Sequence, residues 1–462
     1  MYTMRAIRKQ LGLISLMLVF TLLMAACGGN SKENTASPSS SPSVAASESS
    51  KVPEPSASEE KATITYSQWG TAEELQRVQE LLNKFMETNP NITVKLEGKD
   101  WGSYWDGLTA NAATGTLPDV FKTSFAYIEK YAELGVFKEL DSLIAGNSFN
   151  LGDIDNSMLG LHQYKGKQVS LPIDANVIVF YYDKGLFDNA ATNPKGAPYP
   201  GLEPTWDEIV DIGTKMTLDK NNKNPDESGF DASNIKQWGL SVVPGASMDW
   251  LLEPALWSNN AKLINEDQTL ALNTPEAKEV LNFFIDITKN KHINTTPAQI
   301  EGLGGIANLA ITTGKVAMNA AGSWNVAQYQ EANTNYGITH LPKFKTTQTV
   351  VQPAGVAVSS STKHEAAAFK LLSWLAGPEG QAELAKQGFS IPANKQAAEA
   401  YLQTAGADFK IFIDAQKYGI ISPFSVKKTD LVWTFGEQVM KGPLSGDGDL
   451  DAAIADLQSK IQ

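Results

Sequence analysis

The chain has one cysteine, Cys27, in 462 residues. No internal disulfide can form, and a thiol nucleophile or a cysteine metal site inside a folded domain is excluded. Histidine is scarce too. His162, His292, His340 and His364 are scattered and lack the spacing of metal ligands. Positive charge is in deficit, with 38 Lys plus Arg against 51 Asp plus Glu. That balance argues against nucleic acid as a partner. Only Leu11–Ala26 is apolar enough to approach a membrane span. There is no repeat of solenoid period. The G-x-S-x-G, H-E-x-x-H, phosphate-loop and G-x-G-x-x-G patterns are missing, and no cofactor is implied. These absences still leave room for a glycoside-active enzyme, which needs only a pair of carboxylates.

The beginning of the chain sets an expected compartment. Arg5, Arg8 and Lys9 precede the apolar run, so residues 1–26 read as a signal peptide. Met24-Ala25-Ala26-Cys27 resembles the bacterial lipobox, with methionine where leucine is usual. The resemblance implies cleavage before Cys27 and lipidation of that cysteine, anchoring the protein to the outer face of the cytoplasmic membrane, as in Gram-positive-type lipoproteins. Residues 27–61 then form a tether. From Gly28 to Lys61 there are 11 serines in 34 residues and no aromatic, too little apolar area to offset ordering entropy. The remaining 400 or so residues exceed what one core supports, which predicts two lobes.

From Thr63 the chain alternates strand and helix. Thr63–Ser67 is β-branched and leads into Trp69 and Gly70; Ala72–Glu87 is amphipathic, with Leu75, Val78, Leu82, Phe85 and Met86 on one side. Ile92–Leu96 alternates with period two. Gly102–Ala113 is a second helix stopped by Gly115, and Pro118–Phe121 opens a third strand. Ile128–Leu134 is a third helix. This βαβαβ order predicts a parallel sheet. Farther on, Val316-Ala317-Met318 reads as a short buried strand entered by a turn at Gly314 and left through Gly322-Ser323-Trp324. Glycine allows a close backbone approach there, and Ser323 is expected to cap a helix from Asn325 to Gln330. In open α/β sheets ligands bind at the carboxyl ends of strands. An indole at such a place suits a sugar ring, which has an apolar face and hydroxyls at its rim; a core tryptophan would leave the same pattern.

Several segments carry a family resemblance. Phe85–Val94, Gly115–Val120, Leu134–Leu140, Tyr164–Lys167, Leu171-Pro172, Phe180–Lys184, Pro204–Glu208 and Thr313–Trp324 resemble, in order and spacing, the landmarks of family 1 extracellular solute-binding proteins, the receptors of bacterial ABC importers. The resemblance implies an α/β, two-lobe, periplasmic-binding-protein-like fold of type II. The first lobe would comprise 62–174 plus 356–403 and the second 178–352 plus 404–462, with hinge crossings at 174–178 and 353–358. It also implies a monomer without cofactor or metal, which captures a mono- or oligosaccharide between the lobes and docks on the transmembrane subunits of an ABC permease. A receptor for a peptide or an amine would share the fold.

The candidate ligand contacts sit at strand ends and crossings. Trp69 and Gly70 follow strand one, Trp101 begins helix two, and Ser124 follows strand three. Asp174 and Asn176 stand at the first crossing, with side chains suited to sugar hydroxyls. Gly322, Ser323 and Trp324 follow a later strand. Trp250 is favoured over Trp257, and Trp433 resembles a stacking position of maltose-type family members. Thr205 and Glu208 read as a capping box. The run Asp219–Glu227 has oxygen ligands at alternate positions but lacks the calcium-loop glycine.

Overall fold

The structure is a computed structural model that describes residues 61–242, 248–265, 267, 269–304, 307–386, 390–405, 409–422, 442–443 and 448–461. Among the described residues there are two large mixed β-sheets with helices packed on them. The first is built from β1 (Ala62–Trp69), β2 (Ile92–Lys99), β3 (Val120–Ser124), β6 (Leu171–Pro172) and β13 (Ala354–Val358) in the order β2-β1-β3-β13-β6. β1 runs parallel to β2 and β3, as the alternating pattern predicts. β13 is antiparallel to β3 and to β6. A two-stranded ribbon, β4 (Gln163–Tyr164) with β5 (Lys167–Gln168), lies between β3 and β6 in sequence.

The helices of this half follow local rules. Helix α1 (Ala72–Thr88) starts at a capping box: Thr71 accepts from the Glu74 amide and Glu74 accepts from the Thr71 amide. Helix α2 spans Trp101–Thr114, starting one residue earlier than its apolar pattern suggests, because Asp100 accepts the Ser103 amide at 3.1 Å. It ends at Gly115, whose φ of 71° is a left-handed conformation that glycine adopts without cost. β2 runs three residues beyond the expected Leu96, held by pairing with Gln68 and Trp69 of β1.

The second sheet joins β7 (Asn176–Asp183), β8 (Leu218–Asp219), β9 (Ile235–Ser241), β10 (Val316–Gly322) and β11 (Tyr336–Thr339) in the order β11-β7-β10-β9-β8, and β12 (Val351–Gln352) also pairs with β7. All eight residues of β7 are buried. Ile178, Phe180 and Tyr182 enter one apolar cluster and Val177, Val179 and Tyr181 another, so both faces of the strand are covered. The chain passes between sheets twice near one place, over 173–175 and again at Pro353.

β10 is longer than the three residues expected, because Gly322 still pairs with Ile178 of β7. Ser323 does not cap a helix. Its hydroxyl donates to Asn176 Oδ1 at 2.8 Å and accepts the Val177 amide at 3.3 Å, and a single 3-10 turn, Ser323–Asn325, leads into the helix Val326–Glu331. The capping box of Thr205 and Glu208 is present at the start of the helix Trp206–Met216. Asp219 serves its own loop: its carboxylate accepts the amides of Asn221, Lys223 and Asp231. Among the described residues no three Asp, Glu, His or Cys side chains are grouped as a metal site would need. No described helix is long and apolar enough to cross a membrane.

Candidate functional site

The carboxyl ends of β1 and β3 carry an aromatic corner. Trp69 ends β1, and Trp101 begins α2 directly beyond β2. Their rings meet edge to face at 4.9 Å. Trp105, one turn along α2, lies beneath them, stacked on Tyr127 at 4.1 Å and beside Tyr131 at 5.4 Å. Trp105 is only 6 % exposed and belongs to the core, whereas Trp101 is 39 % exposed. A partly bared indole braced at its edge by another is a preorganised apolar platform. Gly70 follows Trp69 and continues the pairing of β1, its amide bonded to the Lys99 carbonyl.

A polar group lies against that corner. Lys122, in the middle of β3, places its ammonium 4.7 Å from the centroid of the Trp69 ring and 3.8 Å from Asp174 Oδ2. Asp174 is 2 % exposed, and its Oδ1 accepts the Ala354 amide at 2.8 Å. Burial pushes its carboxyl up to about 6; the nearby Lys122 ammonium and the Ala354 hydrogen bond pull the other way. Asp174 therefore ties the outgoing crossing to the returning one. Below it, Tyr66 donates to Gln68 Oε1 at 2.9 Å, and burial together with the Asp174 charge drives the phenol far above its ordinary range. Ser124 caps the turn after β3, accepting the Ala126 amide.

The second sheet presents its own pair. Trp324 meets Trp250 edge to face at 5.1 Å, and it packs against the main apolar clusters of both sheets. Its ring covers Gly322: a Cβ built there would stand 2.3 Å from Trp324 Cε2 and Cζ2. Only glycine admits this contact. Tyr181 donates to the Gly322 carbonyl at 3.1 Å, which pins the turn. Asn176 accepts from both Ser323 and the Ile391 amide, at 2.8 and 3.2 Å.

Of the residues singled out from sequence, the structure thus brings Trp69, Gly70 and Trp101 together at the carboxyl end of β1 in the first sheet, and Trp250, Gly322 and Trp324 at the carboxyl end of β10 in the second. Asp174 lies at the crossing itself. Asn176, Ser323 and Ser124 are buried and bonded within the protein. Trp433 and Cys27 lie outside the described residues. Lys122 was missed, although its signal was available: a charged residue inside the strand Val120–Ser124 requires a partner when buried.

Three comparisons bear on this arrangement. The model of the bacterial extracellular solute-binding protein family matches residues 80–410. The galactooligosaccharide-binding protein of Bacillus subtilis is 24% identical over 404 residues, covering 84% of this chain and 86% of that one. The sn-glycerol-3-phosphate-binding periplasmic protein of Escherichia coli is 24% identical over 357 residues, covering 72% and 75%. In structure, the ABC substrate-binding protein of Listeria monocytogenes in complex with cycloalternan superposes with a TM-score of 0.75 at 23% identity, over 87% of this chain and 98% of that one. These relatives are binding proteins rather than enzymes, and the two sheets linked at one crossing match their two-lobe fold. On the span of the family match, the chain belongs to the bacterial extracellular solute-binding proteins.

Proposed function

We propose that the protein is an extracellular receptor that captures a mono- or oligosaccharide between its two lobes and delivers it to the transmembrane subunits of an ABC permease. The observation that carries this reading is the aromatic corner of Trp69 and Trp101 at the carboxyl ends of the first sheet. Sugar rings stack on indole faces while their hydroxyls seek polar partners. The Trp250–Trp324 pair brings two partly buried indoles together in the second lobe. Ligand that touches both lobes biases closure about the crossings. The names of the Bacillus and Listeria relatives support the carbohydrate class. The protein performs no catalysis in this scheme and acts as a monomer. Cys27 carries the lipid that anchors the receptor at the membrane.

The test is a thermal-shift and tryptophan-fluorescence screen of neutral sugars. At a hundredfold excess over Kd a ligand adds about 2.7 kcal/mol of stability. A raised melting temperature with one glycan class is the expected result. A response only to peptides or amines would overturn the carbohydrate reading, and release of cleaved sugar would overturn the receptor. Cys27→Ala should free the protein from the membrane fraction.

A further inference from the structure

We propose that Lys122, compensated by Asp174, is the residue that makes the site select uncharged sugars over phosphorylated ones. The inference rests on the carbohydrate reading above and deepens it. Lys122 is held in an unusual way. Its side chain is 15 % exposed, and its ammonium faces the Trp69 ring at 4.7 Å and Asp174 Oδ2 at 3.8 Å. Among the described residues the ammonium's polar partner is the Asp174 carboxylate, at ion-pair rather than hydrogen-bond distance, so N–H donors remain for a ligand at the Trp69–Trp101 corner. A ligand hydroxyl or ring oxygen stacked at the aromatic corner can accept from them.

The charge balance decides which ligand is welcome. The cation and the carboxylate sum to zero, and both sit in a poorly hydrated place where charge is costly. A neutral sugar takes the donors of Lys122 without disturbing that balance. A phosphate ester brings two further negative charges next to a carboxylate that cannot leave, because Asp174 also holds the Ala354 amide of the returning crossing at 2.8 Å. Like-charge repulsion then opposes binding even though a lysine is present. The same pair explains why a buried strand tolerates a lysine at all.

The experiment measures Kd by calorimetry on the purified protein, for neutral mono- to tetrasaccharides of glucose, galactose, xylose, mannose and arabinose, and for sn-glycerol 3-phosphate. The wild type should bind one neutral glycan and give no heat with the phosphate ester. Lys122→Met should weaken the glycan by about ten- to a hundredfold, and Lys122→Arg should recover part of it. Asp174→Asn, which keeps the acceptor for Ala354, should admit glycerol 3-phosphate at least tenfold more tightly than the wild type does. Circular dichroism establishes that each variant is folded. Glycan binding unchanged in Lys122→Met, or phosphate binding unchanged in Asp174→Asn, overturns the inference and leaves the carbohydrate receptor standing. A wild type that binds glycerol 3-phosphate and none of the glycans overturns both.

Discussion

Gly322→Ala places one methyl group where the Trp324 ring now lies. The built Cβ stands 2.3 to 2.4 Å from three ring carbons, Cε2, Cζ2 and Cη2. Ordinary carbon contacts are about 3.5–4.0 Å, so the ring must shift by roughly 1 Å or more. It cannot do so freely, because Trp250 and the apolar clusters of both sheets hold it. Overpacking of this kind costs about 1–3 kcal/mol. The backbone raises no objection: Gly322 has φ −75° and ψ 155°, which alanine adopts readily. That compatibility returns about 0.4–1 kcal/mol through the unfolded chain. The net loss should be about 1–2 kcal/mol. In a Trp324→Ala background the clash is gone and only the backbone gain remains, so the same substitution should turn neutral or stabilising. Urea unfolding followed by far-ultraviolet circular dichroism, across the double-mutant cycle, reads this reversal of sign. If Gly322→Ala costs the same in both backgrounds, the glycine is there for another reason and the account of the turn fails.

Three further outcomes are expected. His162 is fully buried, its Nδ1 sits 2.6 Å from Ser170 Oγ, and burial lowers its pKa to about 3. The unfolded chain takes up that proton below about pH 6.5 and the native protein does not, so stability should fall on acidification by up to about 1.4 kcal/mol per pH unit. Asp174 acts with opposite sign: its raised pKa makes the native state the better proton acceptor between about pH 6 and 4, so acidification there is stabilising. Urea midpoints from pH 7.5 to 4.5 should show a steeper acid loss in Asp174→Asn than in the wild type, and a shallower or reversed one in His162→Gln. Trp101→Ala should change stability by less than about 1 kcal/mol while weakening glycan binding, whereas Trp105→Ala should cost about 3–5 kcal/mol; melting curves paired with ligand titration separate the two. Thr205→Ala removes the capping-box oxygen and should cost about 1 kcal/mol in urea unfolding.

Much of the architecture was legible because it follows short-range rules. The apolar face of Ala72–Thr88, the stop at Gly115, the long unbroken strand from Asn176 and the box of Thr205 with Glu208 are each written within a few residues. The site was legible only in part. That Trp69, Trp101 and Trp324 stand at or just beyond strand ends could be read because an indole beside a strand terminus is conspicuous. The partners were not, because Ser323 and Asn176 are 147 residues apart and no local pattern joins them. Ser323 also illustrates competition between two roles: its place after a strand suits a helix cap, but the crossing strand offers its hydroxyl a buried acceptor and a buried donor, and that tertiary demand prevails. The length of β10 was underestimated for a similar reason, since Ala320–Gly322 look like a turn until β7 is laid beside them.

The arrangement of the first sheet sets a schedule for the newborn chain. β3 finds its second neighbour in β13, where Phe121 stands opposite Ala357. That partner is made more than two hundred residues later, after nearly the whole second sheet. At about 5–20 residues per second, a ribosome needs roughly ten to fifty seconds to travel between them. Throughout that interval β3 has an open edge and Asp174 has no Ala354 amide to accept, so neither the sheet nor the crossing can close. The first sheet and the crossing therefore set only when the late strand arrives.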